Sequence, residues 1–288
     1  MKTLSLIAVL IFNFTTVVQA QRGKIFETRS LKSEILNMER KYAIYLPAGY
    51  DESDQSYPVL YLLHGAGGDQ TEWVQFGQVE YIANRVIAEG LACPMIIVMP
   101  NAKDGTRGYF NAIQGNFNYE DYFFNEFIPH IEKTYRVRGE RHFRAVAGAS
   151  MGGGGALYYA FHRPDIFVAA APMAAGTGYW EFEQFKKSVS DNNLLEKQLE
   201  DYFNRHSVEA FLKNASEEDM KKIKSISWYI CCGDDDPFYE GSSKLHIAFR
   251  KNEIRHEYRV RDGGHTAAYF RMELAEVIEF VSKSFTRF

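Results

Sequence analysis

Five consecutive residues, Gly148-Ala149-Ser150-Met151-Gly152, form the pattern G-x-S-x-G between the apolar run Phe143 to Ala147 and a stretch of helical spacing that begins at Met151. A strand that turns straight into a helix forces the residue at the turn into strained backbone and lifts its side chain clear of the sheet; small neighbours keep that turn free of collisions. A serine so placed can act as a nucleophile. The glycines continue through Gly153, Gly154 and Gly155. Each costs about 1 kcal/mol in an ordinary helix, so the run implies a helix packed closely on its sheet. As a bare pattern the pentapeptide also occurs by chance, and glycine-rich turns also cradle phosphates, so its partners decide the reading.

A serine hydroxyl is a weak nucleophile at neutral pH and needs a histidine base, itself oriented by a carboxylate. Of eight histidines, His265 is the best placed: it follows the strand-like run His256 to Val260 and the turn Asp262-Gly263-Gly264, just before the last helix. His130, His162, His206 and His246 fall on expected helices, His142 and His256 at strand starts, and His64 before a glycine loop. The acid is expected between serine and histidine at a strand end, where Cys232-Gly233-Asp234-Asp235-Asp236-Pro237 supplies three candidates. The same cluster also reads as a solvated turn or a calcium site. Tetrahedral intermediates need backbone donors for the oxyanion. Tyr61-Leu62-Leu63-His64-Gly65-Ala66-Gly67-Gly68 ends a strand in a glycine loop, so the donors are expected to be the amides of Ala66 and Met151.

The elements that must carry these residues alternate. Short apolar or alternating runs (Lys41 to Leu46, which alternates, Pro58 to Leu63, Met95 to Met99, Phe143 to Ala147, Phe167 to Met173, Ser227 to Cys232, His256 to Val260) are separated by segments with helical spacing. The helical segments include Ile82 to Glu89, Met151 to His162, Ser242 to Asn252 and a C-terminal helix with Phe270, Leu274, Val277, Ile278, Val281 and Phe285 on one face. Continuous apolar strands belong in a parallel sheet covered on both faces, so an α/β fold with a mostly parallel, doubly wound sheet is expected. Tyr119 to Tyr135 also has a helical stripe, but Pro129 inside it requires a kink or a restart. Residues 176–224 are too long for a loop and read as a helical insertion in a single domain spanning 21–288.

Residues 1–20 read as a signal peptide: Lys2, an apolar core too short for a membrane span, and a small residue, Ala20, at the cut. The protein is therefore expected to be exported, to the periplasm or beyond, without stable membrane insertion. Of 288 residues 46% are hydrophobic and 24% charged, with a formal net charge of −4, so disorder is excluded and nothing suggests nucleic acid. Three cysteines, Cys93, Cys231 and Cys232, are too few and too odd for a disulfide scaffold. No H-E-x-x-H, C-x-x-C or EF-hand spacing supports a metal, and no cofactor is expected.

Three separated motifs, YPVLYLLHGAGGD (Tyr57 to Asp69), GASMGG (Gly148 to Gly153) and GDDD with DGGH (Gly233 to Asp236, Asp262 to His265), carry a resemblance. Together with RKYAIYLPAGYD, PMIIVMPNA and the segment Glu120 to Tyr135, they make the chain resemble the esterase-D-like branch of α/β-hydrolases over most of residues 35 to 285. That branch includes the feruloyl and acetylxylan esterases of carbohydrate esterase family one. The resemblance implies the α/β-hydrolase fold and puts the acid on Asp236, with Asp235 as the fallback. It also implies an ester partner, feruloyl or acetyl groups on plant polysaccharides or oligosaccharides. Rivals within the fold are siderophore ester hydrolysis, acyl transfer and S-formylglutathione hydrolysis; a rival from another class is a carbohydrate-binding module without chemistry. The insertion contains Tyr179, Trp180, Phe182 and Phe185. Trp180 and Tyr179 are expected to form a wall of the substrate pocket, unless these aromatics are the insertion's own core.

Overall fold

The computed structural model describes residues 22–103, 108–189, 191 and 193–286; the expected signal peptide lies outside them. Eight strands, β1 (Lys24–Ser33), β2 (Met38–Leu46), β3 (Val59–Leu63), β4 (Ile96–Pro100), β5 (Arg144–Ala149), β6 (Ala169–Met173), β7 (Ser227–Gly233) and β8 (His256–Arg261), form one sheet. Their order is β1-β2-β4-β3-β5-β6-β7-β8. β1 and β2 run antiparallel to each other, β2 antiparallel to β4, and the pairings from β4 through β8 are parallel. The carboxyl ends of β3, β5, β7 and β8 therefore open on one edge, where α/β sheets gather their sites.

Helices α1 (Glu72–Gln75) and α2 (Val79–Ala88) link β3 to β4; α3 (Tyr119–Tyr122) and α4 (Ile128–Thr134) precede β5; α5 (Met151–His162) joins β5 to β6. Residues expected to form a helical insertion form four helices: α6 (Phe182–Ser188), α7 (Glu196–His206), α8 (Val208–Asn214) and α9 (Glu217–Lys224). α10 (Tyr239–Lys251) and α11 (Ala267–Thr286) complete the set. Strand alternation divides the interior. Val59, Tyr61 and Leu63 of β3 join a core with Leu157 of α5 and Leu245 of α10, whereas Leu60 and Leu62 join another with Val86 of α2 and Val277 of α11. Both faces are thus covered, which is why these strands read as unbroken apolar runs.

Pro129 resolves as a restart. It sits in the first turn of α4, where a missing N–H is harmless, and a π turn, Phe123–Phe127, carries the chain into it from α3. Cys93, Cys231 and Cys232 are all free thiols, the last two buried in β7. Among the described residues no helix is long and apolar enough to cross a membrane.

Candidate active site

Ser150 joins β5 to α5 at φ 58° and ψ −117°, a region that side-chain-bearing residues rarely occupy. Its amide donates to the Met173 carbonyl of β6 at 2.9 Å, which fixes the turn against the neighbouring strand. The glycines after it are there for contact. A β-carbon on Gly152 would stand 2.4 Å from the Leu63 carbonyl oxygen, one on Gly153 2.6 Å from that of Met173, and one on Gly154 2.5 Å from that of Gly176. Only bare backbone lets α5 begin this close to β3 and β6.

The loops after β7 and β8 meet beside it. His265 Nδ1 lies 2.7 Å from Asp236 Oδ2, and the other carboxylate oxygen of Asp236 accepts the Phe238 amide at 2.8 Å. Asp236 is 0% exposed and the His265 side chain 28% exposed, so the carboxylate is shielded while the imidazole reaches solvent. Because a carboxylate only accepts here, Nδ1 carries the proton and Nε2 is left for another partner. The three consecutive carboxylates divide their tasks. Asp234 Oδ1 accepts the Gly263 amide at 3.0 Å, while the Asp235 amide donates to the Gly263 carbonyl at 3.1 Å. Gly263 holds φ 142°, and a β-carbon on Gly233 would meet its carbonyl oxygen at 2.0 Å. Two glycines thereby let the acid loop and the histidine loop close on each other.

Ser150 and His265 line one cleft of about 390 Å³ with Ala66, Trp73, Phe76 and Phe270. Ala66 thus lines the same cleft as the serine, and Met151, the first residue of α5, presents an amide from a helix terminus whose N–H groups have no intrahelical partner. The glycine loop bearing Ala66 is held by residues to which the sequence reading gave no role. His64 Nδ1 donates to the Gly65 carbonyl at 2.8 Å and Nε2 accepts the Ala102 amide at 2.9 Å. Burial lowers its pKa to about 4, keeping the ring neutral. Glu72 Oε1 accepts the Gly65 amide at 2.9 Å, and burial raises its pKa. Trp73 Nε1 donates to the Leu63 carbonyl at 3.0 Å. The only sequence signal for these three was their closeness to the glycine loop.

Tyr179 and Trp180 do not line this cleft. Trp180 lines a separate cavity of about 560 Å³ with Glu209, Lys213, Lys244, Ile247 and Lys251, and Tyr179 packs on Phe185 with ring centroids 5.7 Å apart. Their expected part in the substrate pocket is left to the substitution argued in the Discussion. Their placement follows the path out of β6: Thr177 is seated so close to Gly241 of α10 that a β-carbon on that glycine would stand 2.7 Å from the threonine hydroxyl. Trp180 follows along the flank of α10, with the Lys244 ammonium 5.7 Å from its ring.

The fold is that of an α/β-hydrolase. Residues 33–280 match the family model described as "Putative esterase", and the chain belongs to that esterase family. A solved ferulic acid esterase aligns with a TM-score of 0.81 at 34% identity, over 92% of this chain and 99% of that one. The endo-1,4-beta-xylanase/feruloyl esterase of Xylanibacter ruminicola is 34% identical over 143 residues, 46% of this chain but 19% of that protein. The acetyl esterase of Caldicellulosiruptor saccharolyticus is 23% identical over 248 residues, 81% of this chain and 86% of that protein.

Proposed function

We propose that this chain is an exported serine esterase that hydrolyses carboxylic esters, feruloyl or acetyl groups on plant polysaccharides or their oligosaccharides. The observation that carries the reading is the 2.7 Å bond between His265 and Asp236 at a cleft lined also by Ser150 and Ala66. With Nδ1 committed to Asp236, His265 Nε2 takes the proton as Ser150 Oγ attacks the ester carbonyl; the amides of Met151 and Ala66 receive the oxyanion. The same proton passes to the departing alcohol, leaving an acyl-serine. Water then gives a proton to Nε2 and adds to the acyl carbon; as the bond from Ser150 Oγ to that carbon breaks, Nε2 returns the proton to Oγ and the acid is released. Trp73, Phe76 and Phe270 make the cleft walls apolar, which suits an aromatic acyl group better than acetate. The relatives named as feruloyl esterases support the same choice.

Purified protein assayed on methyl ferulate, acetylated xylan, p-nitrophenyl acetate and a siderophore ester tests it. The expected order places methyl ferulate first in kcat/KM among the natural acyl types. Preference for acetylated xylan moves the acyl group to acetate, preference for the siderophore ester removes the carbohydrate reading, and no turnover of any of the four overturns the enzyme.

A further inference from the structure

At the far end of α5, roughly 18 Å along the helix axis from Ser150, three side chains from three elements converge. Glu120 stands on α3, His162 is the last residue of α5 and His206 the last residue of α7. One ligand-capable atom of each lies within 4.8 Å of the others. The cluster takes no part in the chemistry above.

The hydrogen bonds assign the protons. His206 Nδ1 lies 2.9 Å from the Tyr202 carbonyl; a carbonyl only accepts, so Nδ1 carries the hydrogen. In the neutral ring that tautomer leaves the lone pair on Nε2. That nitrogen is buried and has no hydrogen-bond partner. In the same way His162 Nε2 lies 2.9 Å from the Arg205 carbonyl and must donate, which leaves Nδ1 facing Glu120 Oε1 at 2.7 Å. Two electron-pair donors sit that close only with a cation between them. A proton satisfies the His162 and Glu120 pair but leaves His206 Nε2 bare, and the Arg205 guanidinium, 3.6 Å from Glu120 Oε1, does not reach hydrogen-bond distance.

We infer that Glu120, His162 and His206 form a binding site for a divalent d-block cation of the zinc type, which ties the helical insertion to the end of the nucleophile-bearing helix. Two imidazoles and a carboxylate are a borderline donor set that suits zinc and its neighbours and not calcium or magnesium. Each imidazole already donates its other N–H to a backbone carbonyl, the arrangement that orients metal-ligating histidines. Ligand atoms on a tetrahedral zinc stand roughly 3.3 Å apart, so binding must spread the 2.7 Å His162–Glu120 pair and bring the three atoms, now within 4.8 Å of one another, into register by shifts of up to roughly an ångström. The three residues lie 42 and 44 positions apart in the chain, which is why no local motif announces them.

The test uses tag-free protein, stripped with EDTA and dialysed free of it, titrated with zinc chloride by calorimetry and followed by thermal unfolding. One equivalent of zinc should bind and raise Tm, with calcium chloride inert. His206→Gln and Glu120→Gln should each weaken zinc binding about 10- to 100-fold, while Asp235→Asn, at the exposed carboxylate cluster Asp234, Asp235 and Asp262, leaves it unchanged. Absence of stoichiometric binding, or binding undiminished in His206→Gln, overturns the site. Should both variants fail to fold, the X-ray absorption edge of the zinc-loaded wild type decides: two imidazole nitrogens uphold the site, and a shell of oxygens alone overturns it.

Discussion

His64 ties Gly65 to Ala102: one ring nitrogen donates to the Gly65 carbonyl at 2.8 Å and the other accepts the Ala102 amide at 2.9 Å. Only one neutral tautomer makes both bonds, and a second proton on the ring would break the bond from Ala102. The glycine loop bearing Ala66, the proposed oxyanion donor, is therefore held by a histidine that must stay uncharged.

That requirement sets a pH dependence. The folded pKa, about 4 through burial, lies below the unfolded value of about 6.5. The contribution is present in full above pH 6.5 and is lost as pH falls from there toward 4, on the order of 3 kcal/mol in total. Urea unfolding of wild type and His64→Gln at pH 7, 5.5 and 4.5 reads it. The variant should start less stable and lose less on acidification; parallel losses in the two proteins would remove His64 from the account.

Ser150→Ala and His265→Ala should each lower kcat on p-nitrophenyl acetate at least about 10³-fold with Tm within a few degrees of wild type, because members of a triad act as a unit. Asp236→Asn should cost less than Ser150→Ala and more than Asp235→Asn or Asp234→Asn. Asp234→Asn should instead act through the Gly263 turn that Asp234 Oδ1 holds. A tenth of wild-type activity left in Ser150→Ala would end the assignment, and the largest loss at Asp235 would move the acid there.

The glycines give a contrast that separates packing from chemistry. Gly152→Ala would place a β-carbon 2.4 Å from the Leu63 carbonyl oxygen, backbone that cannot yield, whereas the nearest atom to one on Gly65 is Glu72 Oε1 at 3.4 Å. Gly152→Ala should destabilise by more than about 2 kcal/mol or fail to fold, and Gly65→Ala by less than about 1 kcal/mol. Denaturant midpoints measured side by side check the pair, and equal effects would refute the close-packing argument.

What could be read without coordinates followed one rule: chemistry tied to strand ends was legible. Ser150 and Asp236 each follow a run whose apolar pattern marks a buried strand, and His265 follows the half-exposed edge strand β8, so their meeting on one edge follows from parallel order. β1 escaped notice because its register shifts between Phe26 and Arg29; the irregularity breaks the two-residue alternation by which a half-buried strand is recognised. Most of its residues are exposed, as an edge strand allows. His64, Glu72 and Trp73 were invisible as loop supports since their partners are backbone groups, which a sequence does not mark. The direction of Trp180 depends on the seat of Thr177 against Gly241, a contact between residues 64 positions apart.

Trp180 therefore gives the most discriminating substitution in the insertion. An aromatic side chain that stacks on substrate loses selectively when truncated, and one that packs loses indiscriminately. Its ring lies in a cavity of about 560 Å³ against α10, packs on the interior that contains Leu245 and Phe249 and faces Lys244. None of these residues lines the Ser150 cleft. Trp180→Ala should then lower Tm by several degrees, through lost burial of the order of 2 kcal/mol, and change kcat/KM on methyl ferulate and p-nitrophenyl acetate by the same factor, under about 2-fold. A loss of 3- to 10-fold on methyl ferulate with p-nitrophenyl acetate unchanged would show that Trp180 meets the substrate after all, and that the insertion moves to bring it there.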